Sequence, residues 1–129
     1  MSTHLTSIDP PSIPQSPVFA QGMIIPAGPT LYVGGQNGID SDGTLLKGLR
    51  AQTEQALRNV LAVLAEAGTG PEHVAKLTIY LTSGVDPNEA YAASAAVWTE
   101  RTAVTVVSVV MSRPGVLVEI EAVAAIPVK

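Results

Sequence analysis

The last apolar segment of the sequence carries two carboxylates that could act together. Glu119 and Glu121 are two residues apart in VLVEIEAVA, so an extended chain places both side chains on one face. Close carboxylates can separate their pKa values and work as general acid and general base. A solvated strand face with two charges would show the same spacing, and both interpretations stay open. The apolar Leu117 and Val123 on that face favour a functional role.

A glycine-rich segment, GGQNG, spans Gly34 to Gly38 after a predicted strand. Backbone N–H groups beside glycines can bind an anion. The alternative is a tight turn in which glycine supplies a positive φ, and the spacing alone favours this turn. The segment lacks the lysine of a phosphate-binding P-loop, and it is not a dinucleotide-binding fingerprint.

Two arginines, Arg101 and Arg113, are candidates for binding a substrate carboxylate, because a guanidinium can form two parallel hydrogen bonds with it. Both lie in predicted turns, where a solvated loop arginine is the commoner finding. The sequence has no cysteine, which excludes thiol nucleophiles and zinc–thiolate sites. No serine and histidine spacing resembles a catalytic triad. With only His4 and a surface His73, we expect neither a metal site nor a cofactor.

The elements that must position these residues show two periodicities. Strand-like segments are predicted at residues 19–25, 30–34, 74–81, 103–111 and 116–126, the first two as a hairpin. Apolar residues at helical spacing predict a helix that ends at Gly68, and Asp86 with Pro87 predicts a second helix to about Trp98. The order ββαβαββ predicts an α+β fold, in which two helices cover one face of a mixed sheet.

The composition predicts self-association. Hydrophobic residues make up 47% of the chain and charged residues 14%, whereas a soluble domain usually has about 25% charged residues. No segment approaches the roughly 20 apolar residues of a membrane span. Residues 103–111 are apolar on both strand faces, although two helices can cover only one face of a sheet. We therefore expect further copies of the chain to bury the excess apolar surface.

The length of 129 residues predicts one domain, over residues 18–129, after an irregular proline-rich arm over residues 1–17. The net charge of -4 argues against nucleic acid or an anionic membrane as a partner, because neither would meet a basic surface. The first residues, MSTHLTSIDPPS, do not resemble a signal or transit peptide, so the expected compartment is the cytoplasm.

From about Phe19 to Ala125 the sequence resembles the Rid family of reactive-intermediate deaminases, also called YjgF. Three segments carry the resemblance: LYVGGQNGID (31–40), AQTEQALRNVLAVLAEAG (51–68) and VLVEIEAVAAI (116–126). The matching family patterns are Ser-Gly-Gln at a strand end, Gln-Thr-x-x-Ala-Leu-x-Asn in a helix, and Val-Glu-Ile-Glu-Ala in the last strand. The resemblance implies a single RidA-like domain with a chorismate-mutase-like fold. It also implies a homotrimer whose sheets form a central barrel, with three clefts between subunits.

The best-known members of this family hydrolyse 2-imino and enamine acids to 2-oxo acids and ammonia. An arginine in a Pro-Ala-Arg-Ser segment binds the substrate carboxylate, and the resemblance places Val104 at that position. Val106 stands where a cysteine is frequent, Phe19 replaces a tyrosine, and Ala95 stands where the second helix often has an asparagine. The chain retains Gly35 and Gln36, together with a final-strand glutamate, Glu119, whose family role is to position or activate water.

The resemblance therefore implies an inter-subunit cleft that is more apolar than in the deaminases. Its predicted lining residues are Phe19, Gly35, Gln36, Val104 and Val106. Glu119 is the candidate general acid or base, and the Gly35 N–H group is a candidate oxyanion donor. We expect this cleft to bind or act on a small neutral or hydrophobic metabolite, with weak or absent 2-imino acid deaminase activity. The alternative is a non-catalytic ligand-binding or interaction trimer. The sequence leaves open whether Arg101 replaces the missing arginine.

Overall fold

A mixed four-stranded sheet with two helices on one face forms the body of the protein, and a short two-stranded ribbon stands beside it. The structure is a computed structural model that describes residues 4–128. Its strands are β1 (Thr6–Ile8), β2 (Gly22–Ile24), β3 (Thr30–Asn37), β4 (Val74–Thr82), β5 (Ala103–Val109) and β6 (Val118–Ala125), and its helices are α1 (Leu49–Glu66) and α2 (Pro87–Ala95). The predicted α+β class is confirmed.

The strand order in the large sheet is β3-β6-β4-β5. Strand β6 is antiparallel to both of its neighbours, β3 and β4, whereas β5 runs parallel to β4. A parallel pair needs a crossover connection, and α2 supplies it between β4 and β5. Within residues 4–128, no helix is long and apolar enough to cross a membrane.

Helix α1 packs its apolar stripe on β3 and β6 and also contacts α2. Leu57, Val60 and Leu64 repeat at helical spacing and are fully buried, because this stripe faces the sheet. Glu54 and Arg58 form the predicted ion pair on the outside of the helix, with 3.8 Å between their charged atoms. Gly68, with a φ of 81°, follows the helix end as the sequence predicts.

Strand β6 alternates between two environments from Val118 to Ala124. Val118 and Ile120 are buried toward the helices, whereas Glu119 and Glu121 are half-buried on the opposite face. We call this opposite face the outer face; it also carries Lys76 and Tyr80 of β4, Tyr32 of β3 and Val107 of β5. Neither helix packs on it, and the side chains of Tyr32 and Val107 are exposed there.

The predicted hairpin between residues 19–25 and 30–34 is wrong. Strand β2 pairs with β1, with Met23 opposite Ser7, while β3 pairs with β6. The predicted irregular arm thus contains a strand. Two prolines and a glycine, at positions 26, 28 and 29, separate β2 from β3 and let the two strands find different partners.

The predicted turn at Gly34–Gly38 is also wrong, because β3 continues to Asn37 and none of these glycines has a positive φ. A register shift between Val33 and Gln36 marks a bulge in the strand. Close contacts explain two of the glycines. A Cβ atom on Gly35 would lie 2.5 Å from a carboxylate oxygen of Glu119, and one on Gly38 would lie 2.4 Å from the Gln52 Cα atom.

Two smaller expectations need correction. His73 was expected at the surface, but it closes a 3-10 turn (Pro71–His73), is 9% exposed and stacks on the His4 ring at 6.5 Å. The second helix ends at Ala95 rather than near Trp98. The indole N–H group of Trp98 donates to the Thr102 hydroxyl instead, at 3.1 Å, in the segment that leads into β5.

Candidate functional site

An apolar cleft of about 300 Å³ lies between α2, β5 and the segment before β2. Three of the predicted site residues, Phe19, Val104 and Val106, line it. The Tyr91 ring of α2 contacts the Phe19 ring with centroids 5.9 Å apart, and Trp98 adds a third aromatic side chain. The structure therefore brings together half of the six predicted site residues in one apolar site.

Local sequence patterns explain this cleft. On β5, alternation directs Val104 and Val106 to the helix-covered face, where they pair in register with Leu77 and Ile79 of β4. Helix α2 presents small residues such as Ala90, which leave space between helix and sheet. The backbone N–H group that follows Phe19, that of Ala20, donates to the Thr102 carbonyl at 3.1 Å and fixes this segment beside β5.

The cleft wall contains no lysine or arginine, and its single charged side chain is Glu100. Arg101 is bound elsewhere. Its guanidinium donates to both carboxylate oxygens of Asp9, each at 2.9 Å, and to the Ser16 carbonyl at 2.8 and 3.1 Å. The prediction of a solvated loop arginine is wrong, since the Arg101 side chain is only 32% exposed. Arg101 does not line the apolar cleft.

The ion pair between Arg101 and Asp9 fastens the N-terminal arm to the segment before β5. Hydrogen bonds from Arg101 lower the pKa of Asp9 well below its ordinary value, and bonds from the Ser7 hydroxyl and the Gln21 N–H group act in the same direction. Because the arm continues into Phe19, this ion pair also helps to hold one wall of the cleft in place.

We expect Asp9→Asn to lower the urea midpoint of unfolding near neutral pH. A lowered folded-state pKa means that the ionised carboxylate stabilises the protein fully above the unfolded value of about 3.9. That stabilisation is lost as the pH falls toward the folded-state pKa. The midpoint difference between wild type and variant should therefore shrink below about pH 4. Asp42→Asn, which removes an exposed carboxylate of equal charge, is the control and should leave the midpoint unchanged. A constant difference down to about pH 2 would contradict this account.

The predicted acid or base, Glu119, lies in a second cavity of about 280 Å³ on the outer face. Gly35, Tyr80, Glu121 and the segment over residues 109–112 complete its lining. The Glu119 carboxylate packs directly on the Gly35 backbone, as the close approach of its atoms shows. Within residues 4–128 this carboxylate takes part in no ion pair and accepts no hydrogen bond.

The neighbouring carboxylate, Glu121, has a partner. The Tyr80 hydroxyl donates a hydrogen bond to it across the β4–β6 pair. This bond raises the pKa of Tyr80 above its ordinary value, and burial and the charges of Glu121 and Glu119 raise it further. The two carboxylates of the sequence pattern thus differ in environment, since Glu121 is held by a phenol and Glu119 is not.

Gln36 lies in a third, polar and open cavity of about 630 Å³. Its side-chain amide donates to the Gly34 carbonyl at 3.2 Å, and Gln55, Asn59 and Arg113 line the same cavity. Arg113, the other candidate for a substrate carboxylate, is therefore separate from the apolar cleft.

The sheet itself separates the two halves of the predicted site. Val104 and Val106 lie on the helix-covered face, whereas Glu119 lies on the outer face.

Sequence reasoning missed two residues of the cleft, Tyr91 and Glu100. Tyr91 could have been found, because it lies four residues before the lining Ala95 and hence on the same side of α2. Glu100, in a loop, carried no periodic signal.

Comparison with known proteins identifies the family. The model of the family described as Endoribonuclease L-PSP matches residues 14–126. A Yersinia pestis protein of the conserved Rid protein family has a solved structure that superposes with a TM-score of 0.78 at 27% identity, over 95% of this chain and 98% of that one. The chain belongs to the Rid family.

Sequence relatives extend this result. A RutC family protein of Synechocystis sp. is 34% identical to this Rid-family chain over 117 residues, which cover 87% of the chain and 90% of the relative. The chain spans less than two thirds of several other relatives. It covers 42% of the RutC family protein of Aquifex aeolicus, at 43% identity over 53 residues.

Proposed function

We propose that this Rid-family chain forms a trimer whose clefts bind, or act on, a small metabolite with a largely apolar body. The observation that carries the proposal is that Phe19, Val104 and Val106 line one apolar cleft whose wall has no basic side chain. Ligand sites are typically concave and mostly apolar, with few polar groups that orient the ligand. The net charge of -4 argues against nucleic acid as the occupant.

Two further features support the proposed trimer. The outer face exposes Tyr32 and Val107, and β5 forms one edge of the large sheet, with Val106 50% exposed. Exposed apolar surface next to a free strand edge favours association with another copy. A site that uses both Glu119 and the apolar cleft also needs a second copy, since the sheet separates these groups within one chain.

We expect light scattering on a sizing column to give about three times the 13.3 kDa mass of the chain. Val107→Lys places a charge on the outer face and should reduce the mass toward that of the monomer, because burying an unpaired ammonium is costly. Ala62→Lys, on the exposed side of α1, is the matched control and should stay trimeric. A wild-type monomer at micromolar concentration would disprove the trimer.

Ligand binding tests the cleft directly. Indole, a neutral apolar probe, should bind the wild type in calorimetry, and Val106→Trp should weaken this binding about tenfold or more by filling the cleft. Because Val106 is half exposed, this larger side chain should not disturb folding. Ala62→Trp adds the same side chain on α1 and should bind indole like the wild type. Equal affinity in both variants would mean that indole binds elsewhere.

The alternative function is a non-catalytic ligand-binding or interaction trimer. Within one chain the sheet separates Glu119 from the cleft, which supports this alternative unless a second copy supplies Glu119, because a general base must come within hydrogen-bond reach of its substrate. Glu119→Gln distinguishes an enzyme from a protein that only binds its ligand. In an enzyme, this variant loses turnover of a substrate found by screening but still binds that substrate. In a protein that only binds, the variant has the ligand affinity of the wild type.

A further inference from the structure

We propose that the apolar cleft selects small amines that carry a positive charge, with the ammonium group at Glu100 and the apolar body against Phe19, Tyr91 and Trp98. This inference rests on the proposed ligand-binding function of the cleft and narrows its ligand to one charge class. Neutral molecules of the same shape would bind more weakly, and carboxylates more weakly still.

The cleft has one negative charge, the carboxylate of Glu100, which has no basic partner within residues 4–128. Glu100 is the single charged side chain of the wall, and no Lys, Arg or His of residues 4–128 lies within ion-pair distance of it. The adjacent Arg101, which could have neutralised it, donates instead to Asp9 and Ser16. Glu100 is exposed, so a ligand can approach it from solvent. A cation in the cleft would gain an ion pair that nothing in the chain now supplies.

Aromatic side chains are concentrated in the wall of the cleft. The sequence contains one Phe, one Trp and three Tyr, and three of these five residues line this cleft. Aromatic ring faces attract cations and also pack against apolar groups. Phe19, Tyr91 and Trp98 can therefore interact with both the ammonium group and the apolar body of an amine. The same rings offer nothing to a carboxylate, which would meet the negative charge of Glu100 without a basic partner.

The size of the cleft limits the ligand further. A volume of about 300 Å³ lies at the lower end of ligand pockets. Amines with a single ring or a short alkyl chain match this volume.

Three probes of similar shape and different charge test the inference: 2-phenylethylamine, 2-phenylethanol and 3-phenylpropanoate. Their dissociation constants are measured by calorimetry with the wild type, Glu100→Gln and Glu66→Gln. Glu66 is exposed at the end of α1 outside the cleft, so its variant changes the net charge by the same amount. Both substitutions are at exposed positions and should leave the fold intact.

In the wild type we expect the amine to bind about five- to tenfold more tightly than the alcohol, and the propanoate most weakly. Glu100→Gln should bring the amine to the level of the alcohol and leave the alcohol unchanged. Glu66→Gln should change neither. Added salt should reduce the advantage of the amine, because screening weakens an exposed ion pair.

The binding results distinguish an error in the charge selectivity from an error in the proposed function of the cleft. Equal binding of amine and alcohol to the wild type, or strongest binding of the propanoate, would overturn the charge selectivity and leave the proposed cleft function standing. Equal weakening of the amine by both substitutions would overturn the assignment of Glu100. Failure of all three probes to bind would contradict the proposed function itself, and the inference with it.

Discussion

The protein is expected to hydrolyse 2-iminopropionate about 10²- to 10⁴-fold more slowly than Rid-family members with an arginine at the position of Val104. A guanidinium there would bind the substrate carboxylate through two charge-assisted hydrogen bonds, each worth about 1.5–3 kcal/mol. Val104 provides neither bond, and the cleft wall around it contains no basic side chain. A buried carboxylate would also lose its hydration. Together these effects amount to about 3–5 kcal/mol, which gives the expected range.

A coupled amino-acid oxidase assay that follows the disappearance of the imine measures this rate. Val104→Arg should increase the rate, though only in part, because Phe19 and Ala95 also differ from the deaminase pattern. Val104→Leu keeps the position apolar and should have the wild-type rate. Wild-type turnover similar to that of an arginine-bearing relative would contradict the prediction. Arg101 could then not be the substitute unless it first released Asp9.

The second large effect concerns stability. Gln52→Leu is expected to lower the free energy of unfolding by about 3 kcal/mol, because it leaves three backbone groups, in part-buried hydrogen bonds, without their partner. The Gln52 side chain is 2% exposed and joins α1 to the loop before it and to the segment before β6. Its amide donates to the carbonyls of Leu46 and Gly115, each at 2.9 Å, and its carbonyl accepts from the Leu117 N–H group at 2.8 Å.

Urea unfolding at a fixed chain concentration measures this loss, since the stability of an oligomer depends on concentration. Gln55→Leu is the matched control on the same helix. Gln55 makes one side-chain hydrogen bond, to Asn59, so its replacement should cost about 1 kcal/mol or less. Similar losses for the two variants would show that the three bonds of Gln52 add nothing to an ordinary exchange of glutamine for leucine.

Helix α1 illustrates what local pattern can predict. The apolar spacing of Leu57, Val60 and Leu64 predicted both the helix and its buried side, because helix geometry repeats within four residues. The second helix was predicted at its start, where the Asp86 side chain accepts from the Asn88 N–H group. Its end was misplaced, because no glycine or proline follows the helix to mark where it stops.

The sequence alone determined the α+β class, the common face of Glu119 and Glu121, and the apolar character of Val104 and Val106, because side-chain alternation is a property of the extended chain itself. Only the tertiary structure decided which partners these elements meet. Arg101 binds an aspartate 92 residues away, and β2 pairs with the arm rather than with β3. The tertiary structure also decided that Glu119 is separate from the apolar cleft. This separation depends on which face of the sheet the helices cover, and packing across the whole chain determines that face.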